Sequence, residues 1–187
     1  SLSIPSNITI VDAGVKPTRL SVLWSKICYM LNRRSPRLPY FDYASARIYF
    51  VTINCKENQH LLGEIISNMD TKQIDLSEIG MISNKKIVEL SSHHAGVEVL
   101  EYVVMPNHIH MLISLQRQEK ASTLSAIIGS YKSGVSRLAR QAFPGLELWQ
   151  GSFFDHVIRD EKDLLTHYEY IRMNVDRWQK DKYFIKS

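Results

Sequence analysis

Cysteine is scarce: the chain of 187 residues has two, Cys28 and Cys55. Two cysteines make neither a disulfide framework nor a four-ligand zinc knuckle, and they fit a reducing, cytoplasmic setting. Long apolar runs are missing as well. A membrane-spanning helix needs ~18 or more consecutive apolar residues, whereas the closest stretch, Leu20–Leu31, is broken by Ser21, Ser25 and Lys26. That stretch also lacks the small-residue cleavage site of a secretory signal. There is no internal repeat and no low-complexity tract. A secreted disulfide scaffold, a helical membrane protein and a repeat array are therefore excluded as expectations, and no membrane partner is expected.

What is present suits one globular domain: 44% hydrophobic and 22% charged residues. The net charge of +4 permits an anionic partner without requiring one. Basic residues gather at Arg33, Arg34 and Arg37, at Lys132, Arg137 and Arg140, and at Arg159, Arg172, Arg177 and Lys180. For any single cluster a solvated face is the default reading, ahead of a binding surface.

Residues 1–40 read as an extension, with a short amphipathic helix over Leu20–Asn32 and an extended RRSPRLP segment containing Pro36 and Pro39. The main domain is expected over 41–180, with a tail at 181–187. RIYFVTINC (47–55) is rich in β-branched and aromatic residues and predicts a strand; Gly63–Ser67 predicts another. Ile79, Ile82, Ile87 and Leu90 recur at helical spacing within Ser77–Ser92. Val97–Val104 and His108–Leu115 predict a hairpin around Pro106–Asn107. Over Ser122–Ala142, Leu124, Ile127, Ile128, Tyr131, Val135 and Leu138 make an apolar stripe, with Lys132, Ser133, Ser136, Arg137 and Arg140 opposite. Gly129 and Gly134 weaken that helix by about 1 kcal/mol each. Phe153–Ile158 predicts a short strand, and Asp160 an N-cap for a helix running to about Trp178. The order predicts an α+β sandwich with one sheet.

The stretch MPNHIHMLI (105–113) sets two histidines in an apolar run. Alternate residues of a strand share a face, with Cα atoms ~6.6 Å apart. His108, His110, Leu112 and Ser114 therefore share one face, and the apolar Ile109, Met111, Ile113 and Leu115 the other. Two imidazoles so spaced can chelate one divalent ion; a bare H-x-H taken alone is better read as one core histidine and one surface histidine.

In the last helix Leu164, Tyr168, Ile171, Val175 and Trp178 form the expected core stripe. Tyr170 falls off it, grouped with His167, Asn174 and Arg177 on the polar side. A tyrosine beside an amide and an arginine is a candidate nucleophile; a surface tyrosine on an amphipathic helix is the bland alternative.

Several stretches together carry a family likeness: DYASARIYFVTINCKENQHLLGEI (43–66), EYVVMPNHIHMLISL (101–115), TLSAIIGSYKSGVSRLAR (123–140) and LWQGSFFDHVIRDEKDLLTHYEYIRMN (148–174). In this order they resemble the REP-associated tyrosine transposases, members of the HUH single-strand DNA nucleases. The resemblance implies a ferredoxin-like α+β fold with a central antiparallel sheet and flanking helices. It implies metal-dependent cleavage and rejoining of single-stranded DNA at hairpins, through a 5′-phosphotyrosine, in DNA transposition or REP-element mobilisation. It implies His108 and His110 as metal ligands, Tyr170 as the nucleophile, and Asn174 as an amide completing the metal site. One departure is Asn174-Val175 where the family often has Asn-Pro, which is expected to change how the helix ends.

The implied cofactor is Mg²⁺ or Mn²⁺, and a histidine–amide ligand set favours Mn²⁺. Implied partners are single-stranded or hairpin DNA, with a monomer or a homodimer exchanging tyrosine helices, in a cytoplasmic, nucleoid-associated location. Lys132, Arg137, Arg140, Arg159 and Arg177 are the expected DNA-phosphate contacts. Trp149 and Phe153 or Phe154 are candidates for stacking on unpaired bases, with core packing as the alternative. The competing reading is a non-catalytic hairpin or single-strand binding module of the same fold. A two-histidine phosphoesterase would need a pair of His-x-Ser/Thr units; Met111 follows His110, His60 precedes Leu61-Leu62, and His93-His94 precede Ala95-Gly96.

Overall fold

Alternation along two central strands sets the architecture. The computed structural model describes residues 46–68, 71–116 and 122–178. The expected extension 1–40, with its Leu20–Asn32 helix and Arg33, Arg34 and Arg37, lies outside the described residues, as do Lys180 and the tail 181–187. The elements are β1 (Ala46–Asn54), a 3₁₀ turn (Lys56–Asn58), β2 (Gly63–Asn68), β3 (Thr71–Leu76), α1 (Glu78–His93), β4 (Val97–Val104), β5 (His108–Gln116), α2 (Leu124–Ala142), β6 (Phe154–Val157), α3 (Glu161–Arg172) and α4 (Asn174–Arg177).

Four strands form an antiparallel sheet in the order β4-β5-β1-β6. The α+β expectation of a central antiparallel sheet flanked by helices holds. The single-sheet expectation does not: β2 and β3 pair as a separate two-stranded ribbon. β3 (TKQIDL) was not foreseen, because its polar side chains alternate only between exposed and half-buried positions and give almost no apolar signal.

The two faces of β1 and β5 have different fates. Val51, Ile53, Ile109, Met111 and Ile113 pack into a core with Ile79 and Ile87 of α1 and Ile127, Ile128, Tyr131 and Val135 of α2. Burying these large apolar side chains supplies most of the drive to fold. The alternate residues Thr52, Asn54, His108, His110, Leu112 and Ser114 are buried too. They lie on the opposite face, where α3 covers them through the ring contacts described below.

Local signals start each helix. Ser77, Thr123 and Asp160 accept N-cap hydrogen bonds from the backbone N–H of Gly80, Ala126 and Asp163, satisfying donors that the first turn leaves over. The helix expected to run unbroken from Asp160 to Trp178 stops at Arg172. Met173 takes φ −90° and ψ 1°, and α4 begins at Asn174. The break therefore arises with valine at position 175. Tyr168, expected in the core stripe, is half-buried at the rim, where its hydroxyl accepts from Arg172 at 3.1 Å.

Candidate active site

The β1–β5 ladder places Thr52 opposite His110 and Asn54 opposite His108. Both histidines are almost completely buried, 0% and 1% exposed. Buried imidazoles require polar partners, and each ring has one at Nδ1. His110 Nδ1 lies 2.8 Å from Thr52 Oγ1. His108 Nδ1 lies 2.8 Å from Asn107 Oδ1. A carboxamide oxygen only accepts, so His108 Nδ1 carries the hydrogen and Nε2 keeps the lone pair.

Asn107 is itself held by the turn. Its Nδ2 donates to Asn58 O at 3.1 Å, and its carbonyl accepts from Cys55 N at 2.8 Å. Asn58 sits at φ 54°, in the left-handed region that asparagine tolerates better than most residues. The 3₁₀ turn and the β4–β5 turn thus lock together and orient His108.

Helix α3 brings aromatic groups onto this face. The ring centroids of His108 and His110 are 4.4 Å apart, and that of Tyr170 lies 5.2 Å from His110. Phe50 stacks on His110 at 5.0 Å and meets Tyr170 edge-on at 5.9 Å. Beyond the break, Trp178 lies 5.9 Å from His108 and 5.7 Å from His60. Tyr170, Asn174 and Trp178 recur every four residues, and the two ends of that row meet the two histidines. Asn174, midway along it, is 2% exposed. Lys72 of β3 ties α4 down by donating to Asp176 O at 3.3 Å.

The donor set fits a divalent ion. Two oriented imidazoles presenting Nε2, with a buried carboxamide nearby, match the ligand chemistry of Mn²⁺ and its neighbours. His108 and His110, with Asn174, would hold it.

The basic residues divide. Arg159 and Arg177 are exposed beside α3 and on α4. Lys132, Arg137 and Arg140 lie on α2, across the sheet from the histidines. Two of these three serve the 146–152 segment. Lys132 Nζ donates to Gln150 O at 2.5 Å and Ser152 O at 3.1 Å, and burial pushes its pKa down. Arg140 Nε donates to Leu146 O at 3.1 Å. Trp149 packs against Tyr131 and donates from Nε1 to Lys132 O at 3.1 Å, so core packing describes it better than base stacking. Phe153 also packs on the core, while Phe154 is 63% exposed. Thr52, Asn107, Phe50 and Trp178 were not singled out from the sequence as supports of the pair. The β1–β5 register would have pointed to Thr52, and adjacency to Asn107.

Residues 49–174 match the family described as transposase IS200 like. An uncharacterized protein of Haemophilus influenzae is 31% identical over 173 residues, covering 82% of this chain and 94% of its own. A second protein of that organism, described as a REP-associated tyrosine transposase, is 31% identical over 91 residues, 43% of this chain and 51% of its own. Among solved structures, a REP-associated tyrosine transposase bound to a REP hairpin matches with a TM-score of 0.55 at 22% identity, over 76% of this chain and 74% of that one. With a fold of the same kind and a family match across both the histidine strand and the tyrosine helix, the chain belongs to the IS200-like transposase family.

Proposed function

We propose that this transposase-family chain is a metal-dependent single-stranded DNA endonuclease and strand transferase that acts at DNA hairpins through Tyr170. The observation that carries the reading is the approach of the Tyr170 ring to within 5.2 Å of His110, inside a buried pair of oriented histidines. Held by His108 and His110 with Asn174, a Mg²⁺ or Mn²⁺ ion would supply charge neutralisation to the scissile phosphate. Tyr170 Oη attacks phosphorus in line; the bond from phosphorus to the 3′ oxygen breaks, and that oxygen leaves as a 3′-OH after taking up a proton. The phenol proton leaves with the attack, and the strand stays joined to Tyr170 as a 5′-phosphotyrosine. Attack by another 3′-OH reverses the step and rejoins DNA without ATP.

Arg159 and Arg177, flanking the elements that carry Tyr170 and Asn174, are the favoured phosphate contacts. Arg137 on α2 is a more distant one. The relative solved with a bound REP hairpin supports hairpin DNA as the substrate class. The test is a denaturing gel of labelled single-stranded hairpin DNA incubated with Mn²⁺. The expected covalent protein–DNA band disappears in Tyr170→Phe and His108→Ala and persists in Tyr168→Phe. Equal binding by all variants with no cleavage would leave a binding module in its place.

A further inference from the structure

A second group of metal-ligating side chains lies one aromatic ring away from the histidine pair. His156 projects from β6, and Asp163 and His167 from the first two turns of α3. One ligand atom from each, a ring nitrogen or a carboxylate oxygen, lies within 4.8 Å of the other two. His156 Nε2 is 2.8 Å from Asp163 Oδ2, and His167 Nδ1 is 3.0 Å from Asp163 Oδ1; the same Nδ1 donates to the Asp163 backbone carbonyl at 2.9 Å, a bond that an ion taken at Nδ1 displaces. The two imidazoles stack with centroids 4.9 Å apart and planes 22° from parallel. The rings are therefore presented side by side over one carboxylate.

We propose that His156, Asp163 and His167 form a second metal site, taking a borderline divalent ion of the Zn²⁺ class and fastening the edge strand β6 to the first turns of α3. Ligands ~2.0–2.1 Å from such an ion in a tetrahedral shell stand about 3.3–3.4 Å from one another. The two Asp163–histidine separations, 2.8 and 3.0 Å, are hydrogen-bond distances, about 0.3–0.6 Å under that spacing, so an ion replaces the shared protons and spreads the three groups. Two imidazoles and one carboxylate suit Zn²⁺, Co²⁺ or Mn²⁺ and not Mg²⁺, which demands an oxygen shell.

The carboxylate is oriented from outside the triad. Arg159 N–H donates to Asp163 Oδ2 at 3.1 Å, the kind of supporting bond that holds a metal ligand in place. Burial works to raise the Asp163 pKa, but the hydrogen bonds from His156 and Arg159 outweigh it and keep the group ionised. The three side chains are between one fifth and two fifths exposed, which leaves solvent access for the ion and for water in its remaining positions.

The consequence is mechanical. His167 packs on Phe50 at 4.6 Å, and Phe50 in turn touches His110 and Tyr170. β6 pairs with β1 over Tyr49–Thr52, the segment that contains Phe50. An ion joining β6 to α3 would fix the pitch of the tyrosine helix over the sheet. This site stands apart from the nuclease reading, because its ligands are distinct from His108, His110 and Asn174.

Equilibrium dialysis of the full chain against micromolar Zn²⁺, after chelator treatment, tests it. The expected result is one fewer bound zinc per chain in His156→Gln and in Asp163→Asn than in wild type, whatever the histidine pair binds. Millimolar Mg²⁺ should leave that equivalent in place. On a His108→Ala/His110→Ala background, zinc at a hundredfold its dissociation constant should raise Tm by about 5 °C or more, and His156→Gln should abolish the rise. Identical zinc content in wild type, His156→Gln and Asp163→Asn would overturn the proposal and leave a hydrogen-bonded cluster without an ion. His156→Gln keeps its role as a fold-safe variant because position 156 is on a short, exposed edge strand.

Discussion

His110 Nδ1 and Thr52 Oγ1 meet at 2.8 Å directly across the β1–β5 ladder. A hydroxyl there fixes the imidazole plane and so the direction of Nε2. Thr52→Val keeps the shape of the site and removes that hydroxyl. The expected outcome is a 10–100-fold loss of Mn²⁺ affinity, the usual size of such an effect, with circular dichroism unchanged. Calorimetric titration of Mn²⁺ into both proteins checks it. Equal affinities would mean that packing against Phe50 alone sets the ring.

The Tyr170–His110 contact arises within one chain. If that arrangement is the working one, a mixture of Tyr170→Phe and His108→Ala proteins cleaves hairpin DNA no better than either alone. A homodimer that exchanged tyrosine helices would rebuild one complete site per mixed dimer; with half the dimers mixed at random, that restores about a quarter of the wild-type activity. The mixing assay reads the difference directly.

Legibility followed the periodic signal. β1, β4, β5, α1 and α2 were readable because large apolar residues recur along them at strand or helix spacing. The histidine pair stood out by sharing a face with Leu112 and Ser114, opposite the apolar Ile109 and Met111. Tyr170 was readable as an off-stripe residue, and its meeting with His110 only through the family resemblance. β3 was not readable because a polar ribbon has no stripe to betray it. The stop at Met173 carries no proline or glycine signal. Lys132 looked like a DNA contact since a sequence shows a charge and not its partner; here the partners are the carbonyls of Gln150 and Ser152. His156 and Asp163 come together only when β6 pairs with β1 and α3 folds back.

Two glycines in helices have opposite expectations. A Cβ at Gly80 would sit 1.9 Å from the Leu62 carbonyl oxygen, a backbone atom that cannot step aside. Gly80→Ala should therefore destabilise by about 1–3 kcal/mol, in the range of overpacked cores. A Cβ at Gly129 meets nothing within 4 Å. Gly129→Ala should stabilise α2 by about 0.5–1 kcal/mol through lost unfolded-state freedom. Urea denaturation of both variants measures the pair.

Lys132 and Arg137 share the open groove beside Trp149 but differ in their bonds. Removing a lysine whose ammonium binds two carbonyls should cost about 1–3 kcal/mol of stability. Lys132→Met is expected to lower Tm and leave the salt dependence of hairpin binding unchanged. If Arg137 touches phosphate, Arg137→Ala does the reverse, reducing the slope of log K against log salt by about one. A binding series from low to moderate salt separates the two.

Cys55 is fully buried, and burial pushes its thiol up from the usual cysteine range to about 12. The thiolate is the reactive form, so in the folded protein Cys55 should resist iodoacetamide at pH 8.5 and label rapidly once urea unfolds the chain. The same shift bears on stability. The folded pKa is higher than the unfolded one, so the native state holds this proton more tightly. That contribution is complete below the unfolded value and is lost as pH rises from about 9 toward 12. Cys55→Ala removes both the alkaline titration of the thiol and the packing of the sulfur. It should be less stable than wild type at pH 7, and the gap should narrow steadily above pH 9. Denaturation midpoints at pH 7, 9 and 10 give the answer: a gap constant across that range would mean that the thiol stays protonated in the unfolded chain as well, or titrates alike in both states.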